Sequence, residues 1–340
     1  MSTSRQSNQV STVWWILSCI AALVWLLSRC EPAETIKFSS NSTLKTGPVA
    51  EAALSEVRDF YPDTNVYDQD QYRTFYDPAI PQEVRDIFEE NHQTFFKRVE
   101  FEIRRPLINI IYTDSKDWAL QQIKTMYGAN SSGTYNASLE FQDGAFFDQK
   151  SCSSKDAIGI FLDYWDIPLI VVSVECGWSD GTSQKYQKGF STTVIHELAH
   201  FLQSNWDSYE QNSCRLPLWF SEGQASFIAS SMSKKNGSYI FQAARNTYIS
   251  YDLNGRLQDN EFESSDVGEY SDGALAIEYL VGTYGWQSVR DVENALAKMS
   301  PSLCSKVDAI SYFNRAFLQT YGMNLEKFYE VYRKYALSLR

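Results

Sequence analysis

The sequence predicts an α+β fold, with a small mixed sheet upstream of one long helix and a mainly helical second half. Three observations predict it. The β-rich runs "PLINIIYTD" (106–114) and "AIGIFLDYWDIPLIVVSVECG" (157–177) both lie in the first half. "FSTTVIHELAHFLQS" (190–204) then carries Val194, Ile195, Leu198 and Phe201 at helical spacing. From "PLWFSEGQASFIASSMSKK" onward, helical patterns dominate to the C-terminus.

Composition allows this and narrows the function. The 340 residues are 44% hydrophobic and 15% aromatic, enough for a large core. The formal net charge of -12 argues against a nucleic-acid partner, because binding a polyanion needs a basic surface.

In chain order, residues 1–30 read as a signal or membrane-anchor segment, apolar or small from Val13 to Leu27 and bracketed by Arg5 and Arg29. "LLSRC" resembles a lipoprotein box ending at Cys30, although Arg29 stands where a small residue belongs. This segment implies a membrane partner and an extracytoplasmic location, membrane-anchored or secreted. Residues 31–50 read as a linker, and 51–105 as an N-terminal helical region. Within the latter, "VAEAALSEVRDF" is a short amphipathic helix. "IPQEVRDIFEENHQTFFKRVEFE" is a longer one, starting near Pro81 with Val84, Ile87, Phe88, Phe95 and Phe96 on one side. His92 on this helix has no ligand-type neighbour at metal spacing and reads as structural or solvent-facing.

Residues 106–340 read as the main domain. "SKDWALQQIKTMYG" is a helix capped by Asp114 or Ser115 and ended by Gly128, and "ANSSGTYNAS" is loop. Residues 157–177 form two strands around a turn near Asp166–Pro168, and the next helix starts near Gly189. "QDNEFESSDVGEYSDG" reads as an acidic loop. Cys152, Cys176, Cys214 and Cys304 allow three disulfide pairings, and no C-x-x-C occurs.

The chemistry concentrates in "HELAH". His196 and His200, at i and i+4, share one helix face and reach a single ion, here one Zn2+. Glu197 points about 100° round, where it touches a water on that ion without ligating it. A catalytic zinc needs a third protein ligand and an open fourth position. The chain has 3 histidines and none after His200, so the third ligand should be a carboxylate. Glu222 in "LPLWFSEGQASF" is the best candidate, since a carboxylate in so apolar a stretch is costly unless paired. Asp207 and Glu210 are nearer in sequence but lie in a polar loop.

With "HELAH…LPLWFSEGQA" the chain resembles the gluzincin metallopeptidases, the thermolysin-like and aminopeptidase-like superfamily, and within it a small bacterial-type branch with P-x-W-x-x-E-G-x-A. The likeness covers residues 190–231, with a weaker echo in "YSDGALAIEYLVGTYG". It implies a zincin-like domain, with His196, His200 and Glu222 as zinc ligands, Glu197 as general base and a peptide or protein substrate. It also implies Tyr270 as the oxyanion donor, ahead of Tyr279 and Tyr284, because no downstream histidine exists for that role. An upstream strand, within 158–163 or 169–175, would hold the peptide by edge pairing.

Two further departures matter. Ser226 stands where thermolysin-like enzymes have an Asp that orients a zinc histidine, so that support must be weaker or come from elsewhere. The G-x-M-E-N run that holds a substrate amine in the large aminopeptidases is absent, which leaves aminopeptidase specificity without its usual basis. The alternative is a non-catalytic extracytoplasmic binding module that keeps the zincin fold. The presence of Glu197 weighs against it, because a purely structural site has no use for that carboxylate.

Overall fold

The computed structural model describes residues 49–63, 71–99, 102–103, 107–113, 115–142, 158–173, 183–206, 214, 216–235, 237–250, 257, 268–299 and 304–339. The expected signal or anchor segment, the linker up to residue 48, Asp114, Cys152, Cys176, Asp207 and Glu210 lie outside them. No helix among the described residues is long and apolar enough to cross a membrane.

The architecture is α+β with a zincin-like topology: a small mixed sheet precedes a mainly helical region. The sheet has four strands in the order β1 (Tyr72–Tyr76), β2 (Ile108–Thr113), β4 (Leu169–Ser173), β3 (Ile158–Leu162). The first three are parallel, and β3 closes the edge antiparallel to β4. Side chains alternate across it. Ile108, Ile110, Tyr112, Ile170 and Val172 belong to the large core on one face, while Ile111, Leu169 and Val171 enter a smaller core on the other. The fully buried patterns of β2 and β4 follow from this two-sided cover.

The large-core face carries α2 (Gln82–Val99) and α5 (Ser183–Ser204), and the opposite face α3 (Lys116–Tyr127) and α4 (Ser132–Gln142). On α2, Val84, Ile87, Phe88, Phe95 and Phe96 are all buried, as their spacing predicts. Helix α3 is capped by the Ser115 side chain, which accepts from the Trp118 N–H, and it ends at Gly128 with φ 86°. His92 is fully buried, its Nε2 2.5 Å from the Tyr112 hydroxyl, so it is a structural residue.

Three expectations need correction. "ANSSGTYNAS", read as loop, holds the start of α4. The Ser131 hydroxyl accepts from the Thr134 N–H at 3.1 Å, a cap that sets the helix going, and Ala137 and Phe141 bury its inner face. Helix α5 begins at Ser183 rather than near Gly189. The end of the acidic loop is helical, because α8 (Gly268–Tyr284) starts before Tyr270. Strand β1 was not foreseen; its edge pairing with β2 is a tertiary event.

The second half is built around α6 (Leu218–Met232), buried from Gly223 to Met232. A β5–β6 ribbon (Lys234–Lys235 with Ser238–Tyr239) and α7 (Phe241–Ser250) lead on to α8. After it come α9 (Trp286–Met299), α10 (Lys306–Tyr321) and α11 (Leu325–Ser338), and α1 (Val49–Phe60) packs along α8. Helices α6 and α8 touch backbone to backbone. A Cβ on Gly223 would lie 2.5 Å from the Gly273 carbonyl oxygen, and one on Gly273 would lie 2.5 Å from that of Trp219. This contact ties the helix of Glu222 to the helix of Tyr270. Cys214, just before α6, is joined to Cys304, just before α10, with Cα atoms 5.0 Å apart. The bridge closes a 90-residue separation, which restricts the unfolded chain more than a short loop would.

Candidate metal centre

Helix α5 holds its functional face by burying the opposite one. Val194, Ile195, Leu198, Ala199, Phe201 and Leu202 are sunk in the core, leaving His196 and His200 half-buried on one side. Helix α6 brings Glu222 to them from its second turn. His196 Nε2 lies 3.1 Å from Glu222 Oε2, His200 Nε2 lies 3.2 Å from the same oxygen, and the two Nε2 atoms are 3.1 Å apart. Among the described residues this is the one group of three His, Cys, Asp or Glu side chains placed to hold a metal ion.

The donor set fits zinc. Ligand atoms at three corners of a tetrahedron with bonds of about 2 Å stand roughly 3.3 Å apart, close to the triangle observed. Protons alone would not account for it. The two Nε2 atoms carry at most one proton each, which satisfies two edges of the triangle and leaves the third repulsive, whereas one cation satisfies all three.

Without a metal, charge holds the same groups together. Burial works against the charged form of His200, but the Glu222 carboxylate holds its imidazole up, at about 9. Burial pushes Glu222 up as well, and the His200 and His196 rings more than reverse it, leaving the carboxyl well below the usual range.

The outer ring nitrogens are also occupied. His200 Nδ1 is 2.8 Å from Gln203 Oε1, and His196 Nδ1 is 3.2 Å from the Ser226 hydroxyl. Thus Ser226 still reaches His196, as a neutral contact rather than a carboxylate. Gln203, which the sequence reading missed, supports His200. Its position three residues after a ligand on the same helix was the available signal.

Glu197 is 6% exposed, and burial raises its pKa. It lies against the edge strand: a Cβ on Gly159 of β3 would come within 2.2 Å of Glu197 Cγ, and Phe161 of the same strand gives Glu197 a backbone hydrogen bond. Only glycine leaves that space. Tyr270 is 41% exposed, with its ring centroid 5.6 Å from that of His196. Tyr279 packs instead on Phe328 and Tyr335, and Tyr284 on Tyr321.

No protein-family model matches the chain, and no curated protein matches it. The class therefore rests on fold and site: an α+β protein of zincin-like topology with an H-E-x-x-H…E metal-ligand arrangement. A half-buried His-His-Glu cluster of this kind is consistent with the active site of a metalloenzyme.

Proposed function

We propose that this chain is a zinc-dependent peptidase of the gluzincin type, acting on peptides or proteins outside the cytoplasm. The observation that carries the reading is the meeting of three ligand atoms within 4.8 Å of one another beside a buried carboxylate that is not one of them. His196, His200 and Glu222 would hold one zinc ion, which when bound supplies Lewis acidity that brings the pKa of water toward neutrality.

The rest is work for side chains. Glu197, raised in pKa by burial and held by β3, takes a proton from the attacking water and delivers it to the departing amine nitrogen. Protonation of that nitrogen accompanies cleavage of the C–N bond, so acid and carboxylate forms of Glu197 alternate within one turnover. Tyr270, exposed beside His196, donates its hydroxyl proton as a hydrogen bond to the oxyanion. Among the described residues strand β3 pairs with β4 on one side only, and its other edge, where the Phe161 backbone meets Glu197, would receive an extended peptide. Extracytoplasmic placement and membrane attachment rest on the apolar run of residues 13–27.

The test is zinc stoichiometry and cleavage of a peptide library by the full chain. A ratio near one zinc per chain, with cleavage reduced about 10²–10⁴-fold by Glu197→Gln at unchanged zinc content, supports the proposal. Zinc bound without cleavage points to the non-catalytic binding module. Folded protein that takes up no zinc overturns the reading.

A further inference from the structure

Beyond the ligands, a line of buried amides runs from the metal centre into the helical core. His200 Nδ1 meets Gln203 Oε1 at 2.8 Å. Gln203 Nε2 donates to the Ser221 carbonyl at 3.0 Å and to Gln224 Oε1 at 3.3 Å. Gln224 Nε2 donates to Glu293 Oε1 on α9 at 2.9 Å. Gln203, Gln224 and Glu293 are 7%, 0% and 5% exposed.

An amide or an imidazole placed alone can turn either face to its neighbour, so direction comes from groups with only one choice. Two such groups end this line. The Ser221 carbonyl only accepts, and Glu293 Oε1 is the acceptor for the Gln224 amide. Glu293 therefore draws the NH2 of Gln224, which turns the Gln224 oxygen to Gln203 and draws the NH2 of Gln203. The Ser221 carbonyl draws the same NH2 independently. Both anchors turn Gln203 Oε1 toward His200, so Nδ1 must carry the hydrogen. When the ring is neutral, Nε2 is then the bare lone pair aimed at the cluster, as a metal ligand requires.

Among the described residues His196 has no comparable device. The Ser226 hydroxyl beside its Nδ1 rotates and can either donate or accept. One histidine is pinned and the other is not. Three buried polar side chains across α5, α6 and α9 are costly to bury, and Glu293 most of all.

We propose that Gln203, Gln224 and Glu293 act as a directional relay that fixes His200 in its metal-binding tautomer and so sets the zinc affinity of the site. The inference rests on the zinc reading above. These are positioning residues: only His200 would touch the metal.

The test is the zinc dissociation constant of the full chain, by competition with a chromophoric chelator, for wild type, Gln203→Leu and Glu293→Gln. Tautomer state comes from the ¹⁵N shifts of His200 in the metal-free proteins above pH 9, where its imidazole is neutral. Gln203→Leu is expected to weaken zinc binding about 10–100-fold and to raise the population protonated at Nε2. Glu293→Gln keeps the shape of the side chain but ends its one-way demand, and weakens binding by a smaller factor in the same direction. Should Gln203→Leu fail to fold, the Glu293→Gln pair of measurements decides alone. Unchanged affinity and unchanged ¹⁵N shifts, in chains that bind zinc, overturn the relay and leave the metal site standing. Failure of wild type to bind zinc is a different result, visible before any variant is compared, and overturns both.

Discussion

Two histidine–carboxylate groups in this molecule share the same chemistry and end differently. In the first, His92 and Glu89 on α2 face the sheet. Glu89 accepts hydrogen bonds from Tyr72 at 2.9 Å, Thr74 at 3.2 Å and Tyr76 at 2.8 Å, and His92 Nε2 is spent on Tyr112. In the second, His196, His200 and Glu222 turn their ligand atoms toward one another while the outer ring nitrogens are held by Ser226 and Gln203. The residue types do not separate the two. What separates them is where the hydrogen-bonding capacity is used up. In the first cluster hydroxyls take the Glu89 carboxylate and His92 Nε2, which leaves it a clamp between helix and sheet. In the second, protein partners take the far sides of the rings and leave the near sides to an ion.

The comparison breaks most sharply under truncation. His200→Ala should abolish zinc uptake in elemental analysis while the chain stays folded. His92→Ala should leave the stoichiometry intact and lower the unfolding free energy by about 2–3 kcal/mol, since it strands the Tyr112 hydroxyl and opens a hole. Zinc loss from the His92 variant without unfolding would deny the separation of the two clusters.

A next, smaller effect is expected at Gly159. A methyl there would have to displace Glu197, whose Cγ stands 2.2 Å from the Cβ position. Gly159→Ala should cut kcat about 100-fold through misplacement of the proton acceptor, with zinc content unchanged. Full activity in that variant would mean that Glu197 works from another position. Tyr270→Phe should cost about 10-fold in kcat with little change in KM, less than the roughly 10²–10³-fold usual for an oxyanion donor because the ring is 41% exposed. A change confined to KM would assign Tyr270 to substrate binding instead.

The smallest effect lies in the first cluster and depends on pH. Burial pushes Glu89 up, but the His92 ring, 3.5 Å away, and the hydrogen bonds it accepts from Tyr76 and Tyr72 bring it down from 4.5 to about 2. A lowered folded-state pKa stabilises the fold above the unfolded value and is lost as the carboxylate protonates. Wild type should therefore exceed Glu89→Gln by a constant margin above pH 4.5, and that margin should vanish as pH falls toward 2. With the carboxylate 34% exposed, the margin is about 1 kcal/mol. A margin that persists at pH 2 in urea titrations would show that the carboxylate charge contributes nothing.

Legibility followed range. Helices α2 and α3 could be read because their signals are local: an apolar stripe on one, Ser115 and Gly128 at the ends of the other. The β3–β4 hairpin showed as two apolar runs around a turn. Helix α4 was hidden because "SSGTY" has turn composition. Its first turn is settled by contacts that propensity does not register: the Ser131 cap, and the Trp165 indole, whose Nε1 fills the space 2.4 Å from where a Cβ on Gly133 would be. Strand β1 was hidden because its identity depends on pairing with β2, thirty-odd residues away.

The site divides the same way. The sequence by itself determined that His196 and His200 share a helix face and that Glu197 stands off it, and with 3 histidines in the chain it pointed to a carboxylate as the third ligand. Helix geometry and a count suffice for that. Only the tertiary structure decided that Glu222 completes the triangle and that Gly159 makes room for Glu197. It also decided that His200 is steered by Gln203, Gln224 and Glu293. Those relations join side chains on separate elements, and buried polar groups find their partners only when packing has brought the elements together.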